Sequence, residues 1–420
     1  MEYTKAQPSG NSSLCRSCGQ PDLEPFLSLG RTPLANGLLT AEQIGAAEDL
    51  FPLDLVFCPY CALVQITETV PPEILFRDYL YFSSFSETVL KNAETLVNRL
   101  IEERSLNSDS LVIEIASNDG YLLRHYHNRD IPLLGIEPAR NIAKVARERG
   151  IETLAEFFGT ELAHKLVSDG KLADIVHGNN VLAHVADLNG FVSGLALVLK
   201  GDGIAVFEVP YVKDLIDHCE FDTIYHEHLC YYSLTALSRL FERHGLCIQD
   251  VERIPIHGGS LRVFISKNKT QRENASSQRV IALLQEETDQ GLTTIEYYRD
   301  FSAKVERARY DLLHCLKQLT SADKRIVAYG ASAKGTTLLN YCGVGRETLQ
   351  FVVDRSTVKQ GRFTPGTHIP ICEPERLLDE MPDYVLLLTW NFADEIMAQQ
   401  SEYRRRGGRF IIPVPQPRVI

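Results

Sequence analysis

The chain has 420 residues, 44% hydrophobic and 23% charged, with a formal net charge of -12. That length accommodates two or three domains with their own cores, and the acidic balance argues against a large nucleic-acid footprint. No run of about 18 apolar residues is present and "MEYTKAQPSGNSS" is polar, so neither a membrane-spanning helix nor a secretory leader is expected, and the cytoplasm is the expected compartment.

Ten cysteines are present. In a reducing compartment they are not expected to pair as structural disulfides. Cys219, Cys230, Cys247, Cys315, Cys342 and Cys372 are scattered singly and read as small buried hydrophobes. The remaining four form two C-x2-C pairs, "CRSC" (Cys15, Cys18) and "CPYC" (Cys58, Cys61), each followed by a small residue. Two such turns suit a tetrahedral structural zinc; a redox pair is the rival. Four thiolates leave no open position on the metal, so it would hold the fold and do no chemistry. Between the pairs, the Pro/Gly-punctuated "LGRTPLANGLL" brings Asn36 toward a ligand or is a solvated connection.

A helical pattern begins at about Ser86. The apolar run Leu111 to Ile115 then reads as a buried strand with Glu114 near its end, followed by the turn "ASNDG" (Ala116, Asn118, Gly120) and a helix. A second strand, "LLGIEP", ends at Glu137, about 20 residues on, where a ribose-binding carboxylate belongs. "LAEFF", "ADIVHGNNVLAHV" and "GIAVFEVPY" supply three more strands. The turn lacks G-x-G-x-x-G, which disfavours a dinucleotide; S-adenosylmethionine carries no phosphate and needs only a small residue and space.

The stretch "FDTIYHEHLCYYS" packs Tyr225, His226, Glu227 and His228 together. An imidazole beside a carboxylate and a phenol suits proton abstraction, while H-x-H on an extended strand would put His226 and His228 on one face toward a metal. A polar surface loop is the bland reading.

Further on, "HGGSLRVFIS" (His257, Arg262) is a Gly-rich turn into a strand, and a long charged helical stretch runs from about Ser277 to Leu319. "KRIVAYGASAKGTTLLNY" then gives a second strand, turn and helix, followed by the strands "LQFVVDRS", "DYVLLLTWNF" and "GGRFIIPVP". Ser332 and Lys334 at a helix N-terminus favour an anion such as a diphosphate, with Arg262 adding charge and Asp354 near a ribose. A Rossmann-like unit kept only as scaffold is the alternative.

Taken in order, "CRSCG…TPLANGLL…FCPYCALVQ", "EIASNDGYLL", "GIEPA", "NNVLAHV", "YHEHLCYYS", "HGGSLRVFI" and "AYGASAKGTTLLNY" resemble the zinc-containing, S-adenosylmethionine-dependent sugar C-methyltransferases of deoxysugar pathways. The resemblance covers nearly the whole chain. It implies an α/β fold in three parts: a zinc-binding N-terminal domain (1–80), a class I methyltransferase Rossmann-like domain (81–245) and a second Rossmann-like, substrate-binding domain (246–420). It implies methyl transfer to the carbon beside the ketone, at C-3, of a dTDP-, CDP- or GDP-linked 4-keto-6-deoxysugar. In that reading His228 is the general base and Glu227 its helper, and Tyr225 positions the sugar or donates to the oxyanion. His184 and either Tyr79 or Tyr81 share the cleft, with Tyr81 grouped among the catalytic residues and Tyr79 and His257 among the substrate contacts. Glu114, Ala116, Asn118, Gly120, Glu137 and Asn180 hold the cofactor. Ala116 stands where many members carry Gly. No nucleic acid or membrane partner is expected, and the protein is expected as a monomer or homodimer. The rivals are O-methylation, a non-sugar ketone, an NAD-dependent oxidoreductase and a non-catalytic nucleotide-binding scaffold.

Overall fold

The computed structural model describes residues 14–77, 82–256, 258–267 and 276–420. Tyr79, Tyr81 and His257 lie outside the described residues. The strands fall into three sheets. Strands β1 (Glu24–Thr32), β2 (Phe51–Phe57) and β3 (Val64–Ile66) make an antiparallel meander beside the first cysteines. Strands β4 (Val112–Ile115), β5 (Leu133–Ile136), β6 (Thr153–Leu154), β7 (Ala173–Asn179) and β8 (Leu199–Pro210) form a parallel sheet joined by helices.

The short strand β9 (Cys230–Tyr231) then returns to the first sheet and pairs antiparallel with β3, completing the order β1-β2-β3-β9. Strands β10 (Leu246–Ile254) and β11 (Ser260–Lys267) add antiparallel to β8, giving β10-β11-β8-β7-β4-β5-β6. The second sheet thus continues past the expected boundary at 245/246. Strands β12 (Ile326–Tyr329), β13 (Val352–Val353), β14 (Ile371–Cys372), β15 (Tyr384–Leu387), β16 (Arg409–Ile412) and β17 (Arg418–Val419) form the third sheet, ordered β14-β13-β12-β15-β16-β17 and parallel except for β17.

Local chemistry accounts for the joints that matter. The four residues of β4 are all buried, as expected for a strand covered on both faces. The helix Glu87–Arg104 starts where Ser86 accepts the Val89 N–H, and it buries Ala93, Leu96, Val97 and Leu100 on one face. The charged stretch expected from Ser277 to Leu319 is broken: helices Gln278–Asp289 and Phe301–Ser321 are separated around Gly291, whose φ of 81° ends the first. Among the described residues no helix is long and apolar enough to cross a membrane.

Candidate active site

The four N-terminal cysteines converge. Cys15 Sγ lies 3.4 Å from Cys61 Sγ and Cys18 Sγ lies 3.5 Å from Cys58 Sγ, with all four sulfurs within 4.8 Å of one another. Zinc–sulfur bonds of about 2.3 Å in a tetrahedron place sulfurs roughly 3.8 Å apart, so the set fits the ion. The two turns are alike: Gly19 N–H donates to the Cys15 carbonyl at 2.8 Å and Ala62 N–H to the Cys58 carbonyl at 2.9 Å. Both small residues take positive φ, 71° and 62°. The closest approaches cross from one pair to the other, which suits a shared ion and not two separate redox pairs. The shell is closed by protein ligands, so zinc here is structural.

In the turn after β4, Ala116, Asn118 and Gly120 all have positive φ, at 56°, 49° and 77°. A side chain at Gly120 would also meet Ile151 at 2.9 Å. Glu137 follows β5 and is buried. It takes the Asn118 N–H on Oε2 and the Ala139 N–H on Oε1, each at 2.9 Å. Burial pushes its carboxyl up to about 7, against the pull of those two N–H groups. Asn118 Oδ1 accepts the Ser83 N–H at 2.9 Å, joining the turn to the segment ahead of the helix Glu87–Arg104. Asn180 follows β7, and its Oδ1, like that of Asn179, is buried without a hydrogen-bond partner. Two orphan acceptors beside the turn fit a ligand that brings N–H or O–H donors, as the amine and ribose of S-adenosylmethionine do.

Glu114 and Gly120 are placed differently from expectation. Neither borders the cleft. Glu114 is fully buried, and burial first, then Glu137 and Asp119, push its carboxyl well up. Both carboxyl oxygens of Glu114 are buried without a hydrogen-bond partner.

The segment 221–233 is gripped from several sides. The Ile224 carbonyl accepts from Thr337 Oγ1 at 3.1 Å, Leu229 N–H donates to the Ala183 carbonyl at 2.7 Å, and Cys230 pairs with Gln65. His228 N–H closes a turn on the Tyr225 carbonyl at 2.8 Å. The turn separates the two histidines that an extended strand would have put on one face. His226 Nε2 reaches the Pro52 carbonyl at 3.0 Å in the first sheet, while His228 faces the cleft. Among the described residues the four cysteines form the only cluster with metal-ligand spacing, so the H-x-H metal reading has no support.

His228 Nδ1 lies 2.9 Å from the Thr223 carbonyl, and its Nε2 lies 2.8 Å from the Tyr225 hydroxyl. A carbonyl only accepts, so Nδ1 carries the proton in the neutral ring and Nε2 accepts from Tyr225. The expected helper role of Glu227 is therefore corrected: a backbone carbonyl orients His228, and the Glu227 carboxylate takes the Asn36 amide at 2.7 Å. The Glu227 backbone carbonyl instead orients His184, whose Nδ1 lies 2.7 Å away. Burial pushes His184 down to about 4, so it stays neutral at ordinary pH. The His184 and His228 rings meet edge to face at 4.9 Å.

The third sheet contributes a second turn. Ser332 caps the helix Ala333–Cys342 by accepting the Gly335 N–H at 3.0 Å, so its hydroxyl is engaged in the cap. Lys334 sits 4.9 Å over the Trp390 ring, beside Asp222 and Glu220. Burial lowers its ammonium, and the two acids oppose that shift. Burial raises those acids, to about 6 for Asp222 and about 8 for Glu220. Asp354 holds the turn through the N–H groups of Ala331 and Ser356, at 2.7 and 2.8 Å. Two cations not singled out from sequence, Arg355 and Lys359, border the same space. Their signal was position alone, just after the strand β13.

Arg262 is not among them. It lies on β11, is 6% exposed, and donates to Glu208 (2.8 Å), Glu252 (3.1 Å) and Asn92 (2.8 Å). Its charge is consumed inside the second sheet, which corrects the expected diphosphate contact. The cleft itself is one cavity of about 640 Å³. Ala116, Asn118, Glu137, Asn180, His184, Tyr225, His228, Ser332 and Lys334 all border it.

Three family models match in chain order: "Putative zinc binding domain" over residues 15–76, "Methyltransferase domain" over 86–251 and "C-methyltransferase C-terminal domain" over 255–415. C-methyltransferase NovU of Streptomyces niveus is 38% identical over 406 residues, spanning 97% of this chain and 96% of that protein. The chain belongs to the C-methyltransferase family. It is an S-adenosylmethionine-dependent methyltransferase with a four-cysteine zinc domain. Solved structures align over less of this C-methyltransferase. The PH0226 protein of Pyrococcus horikoshii OT3 covers 48% of this chain and 100% of its own, at 15% identity and a TM-score of 0.37. Magnesium protoporphyrin IX methyltransferase (ChlM) from Synechocystis PCC 6803 with bound SAM covers 43% and 79%, at 12% identity and a TM-score of 0.33.

Proposed function

We propose that this C-methyltransferase methylates C-3, the carbon beside the ketone, of a nucleoside-diphosphate-linked 4-keto-6-deoxysugar. One observation carries the reading. A single cavity joins the cofactor turn, the His184–Tyr225–His228 group and the cation-bearing turn at Lys334, Arg355 and Lys359. Together those surroundings suit a methyl donor, an acidic C–H and a diphosphate.

S-adenosylmethionine, when bound, supplies a methyl group on positive sulfur, an acceptor for a carbon nucleophile and a good leaving group. The residues of the chain have to make that nucleophile. His228, with Nδ1–H fixed on the Thr223 carbonyl, takes the proton from C-3 on Nε2. The C–H electron pair becomes the carbon–carbon double bond of the enolate, and the negative charge moves to the ketone oxygen. To take that proton Nε2 must have its lone pair free, so the Tyr225 hydroxyl first turns from Nε2 to the ketone oxygen and donates there as the charge develops. The carbon pair so generated would form the new carbon–carbon bond with the methyl group that S-adenosylmethionine supplies, its sulfur leaving with the pair of the old bond. His184, held neutral by burial, adds no competing charge. Lys334 and Arg355 hold the diphosphate, while Lys359 holds the turn through the Ala331 carbonyl at 2.8 Å, and so the sugar's reach is fixed.

The test is incubation with methyl-13C S-adenosylmethionine and, in turn, dTDP-, CDP- and GDP-linked 4-keto-6-deoxysugars. A labelled methyl on C-3 by NMR is expected. A methyl on oxygen, or no transfer although S-adenosylhomocysteine binds, would overturn the proposal.

A further inference from the structure

We infer that Asn36, carried by the zinc-bound domain, is a positioning residue for the catalytic turn; this rests on the C-methylation reading above and deepens it. Glu227 is tied at two atoms. Its Oε1 accepts from Asn36 Nδ2 at 2.7 Å, across 191 residues of chain, and its backbone carbonyl accepts from His184 Nδ1 at 2.7 Å. Both Glu227 acceptors lack protons to give, so each partner is fixed in one state: Asn36 must turn its NH2 inward, and His184 must carry its proton on Nδ1. The His184 ring then rests against His228 at 4.9 Å and Phe76 at 5.4 Å.

Asn36 does not adapt to Glu227; it is delivered to it. Leu38 N–H donates to the Asn36 carbonyl at 2.8 Å and Gly37 N–H to the Leu34 carbonyl at 3.0 Å. Ala35, Leu38 and Leu39 are buried. Leu39 exchanges two backbone hydrogen bonds with Phe363, at 3.0 and 2.9 Å. The loop is thereby pinned between the first sheet and the part of the chain that carries the second turn. Glu227 is only 2% exposed, so losing the amide weakens the support of a buried carboxylate and lets the turn drift. One side chain from the zinc domain thus sets the residue whose carbonyl sets His184.

The test uses the full-length zinc protein. Asn36→Ala is expected to lower kcat about tenfold or more, with one zinc per chain retained and the Kd for S-adenosylhomocysteine within about twofold. Asn36→Asp sets two carboxylates against each other and is expected to be slower still. Asn36→Asp combined with Glu227→Gln restores a donor–acceptor pair of reversed polarity and is expected to recover activity to within about threefold of the parent. A double variant no faster than the slower single overturns the inference. A second readout needs no turnover. In 15N-histidine NMR the His184 Nδ1–H signal, identified by its loss in His184→Gln, is expected to exchange faster in Asn36→Ala and to be restored in the double variant. An unchanged signal in Asn36→Ala also overturns the inference, whereas a faster-exchanging signal without sugar methylation would fault only the substrate reading.

Discussion

The two strand–turn–helix units look alike but are bordered by different side chains: buried acids around the first turn, cations mixed with acids around the second. The turn at Ala116–Gly120 is surrounded by the buried acids Glu114, Asp119 and Glu137, with orphan acceptors on Asn179 and Asn180. The turn at Gly330–Lys334 is bordered by Lys334, Arg355 and Lys359. The backbone plan is shared, so the difference lies in the residues at the ends of the neighbouring strands: Glu137 after β5 in the first unit, Arg355 and Lys359 after β13 in the second. The turn Tyr225–His228 borders the same cavity.

The largest expected effect tests the space between the units. His228→Asn should lower kcat by a factor on the order of 1,000 while leaving S-adenosylhomocysteine affinity in calorimetry intact; retained turnover would move the base elsewhere. The next pair splits the units from each other. Lys334→Ala should raise the KM for the sugar nucleotide about tenfold and leave cofactor affinity unchanged, whereas Glu137→Ala should weaken S-adenosylhomocysteine binding about tenfold and leave that KM alone. Equal effects of both variants on both ligands would dissolve the comparison.

A smaller effect concerns the buried acids. Glu137 and Glu220 are pushed up to about 7 and about 8, so the fold favours their protonated forms. Their contribution is full below the ordinary carboxylate range and is lost as pH rises through the folded values. His177 and His184, pushed down to about 3 and about 4, act in the opposite sense only below about 6.5. Urea unfolding should therefore show stability falling by about 2 kcal/mol between pH 6.5 and 8. The smallest effect is Ala116→Gly. It relieves a non-glycine residue at a φ of 56° and should raise stability by about 1 kcal/mol, read from the urea midpoint.

The features legible in the sequence were local. Two C-x2-C turns, an acid at the end of β5 and a helix N-terminus at Ser332 each announce themselves within a few residues, because each is a turn with fixed chemistry; that the Ser332 hydroxyl is spent on the Gly335 N–H was not legible. The features that were not legible depend on chain segments that meet from afar. Arg262 reads as a cation beside a Gly-rich turn, yet Glu208, Asn92 and Glu252 consume it because β11 joins β8 and β10. Nothing in "YHEH" says that Thr223, and not Glu227, will orient His228; the turn closed between Tyr225 and His228 decides it. Glu287 is a further case. It reads as one more charge on a helix, but it is fully buried and accepts from Tyr211 Oη, the N–H groups of Leu234 and Thr235, and Thr235 Oγ1. It anchors the helix Leu234–Glu242 that follows the segment 221–233.

The pairing of β9 with β3 also has a consequence for synthesis on the ribosome. All four zinc ligands have been made by Cys61, but the strand that completes their sheet is Cys230–Tyr231. Translation adds roughly 5–20 residues each second, so the edge of β3 waits on the order of ten seconds for its partner. Throughout that interval a row of unpaired backbone groups is open to other chains. Early metal loading would steady this half-built sheet, and zinc supply during translation would then govern yield more than zinc supply afterwards.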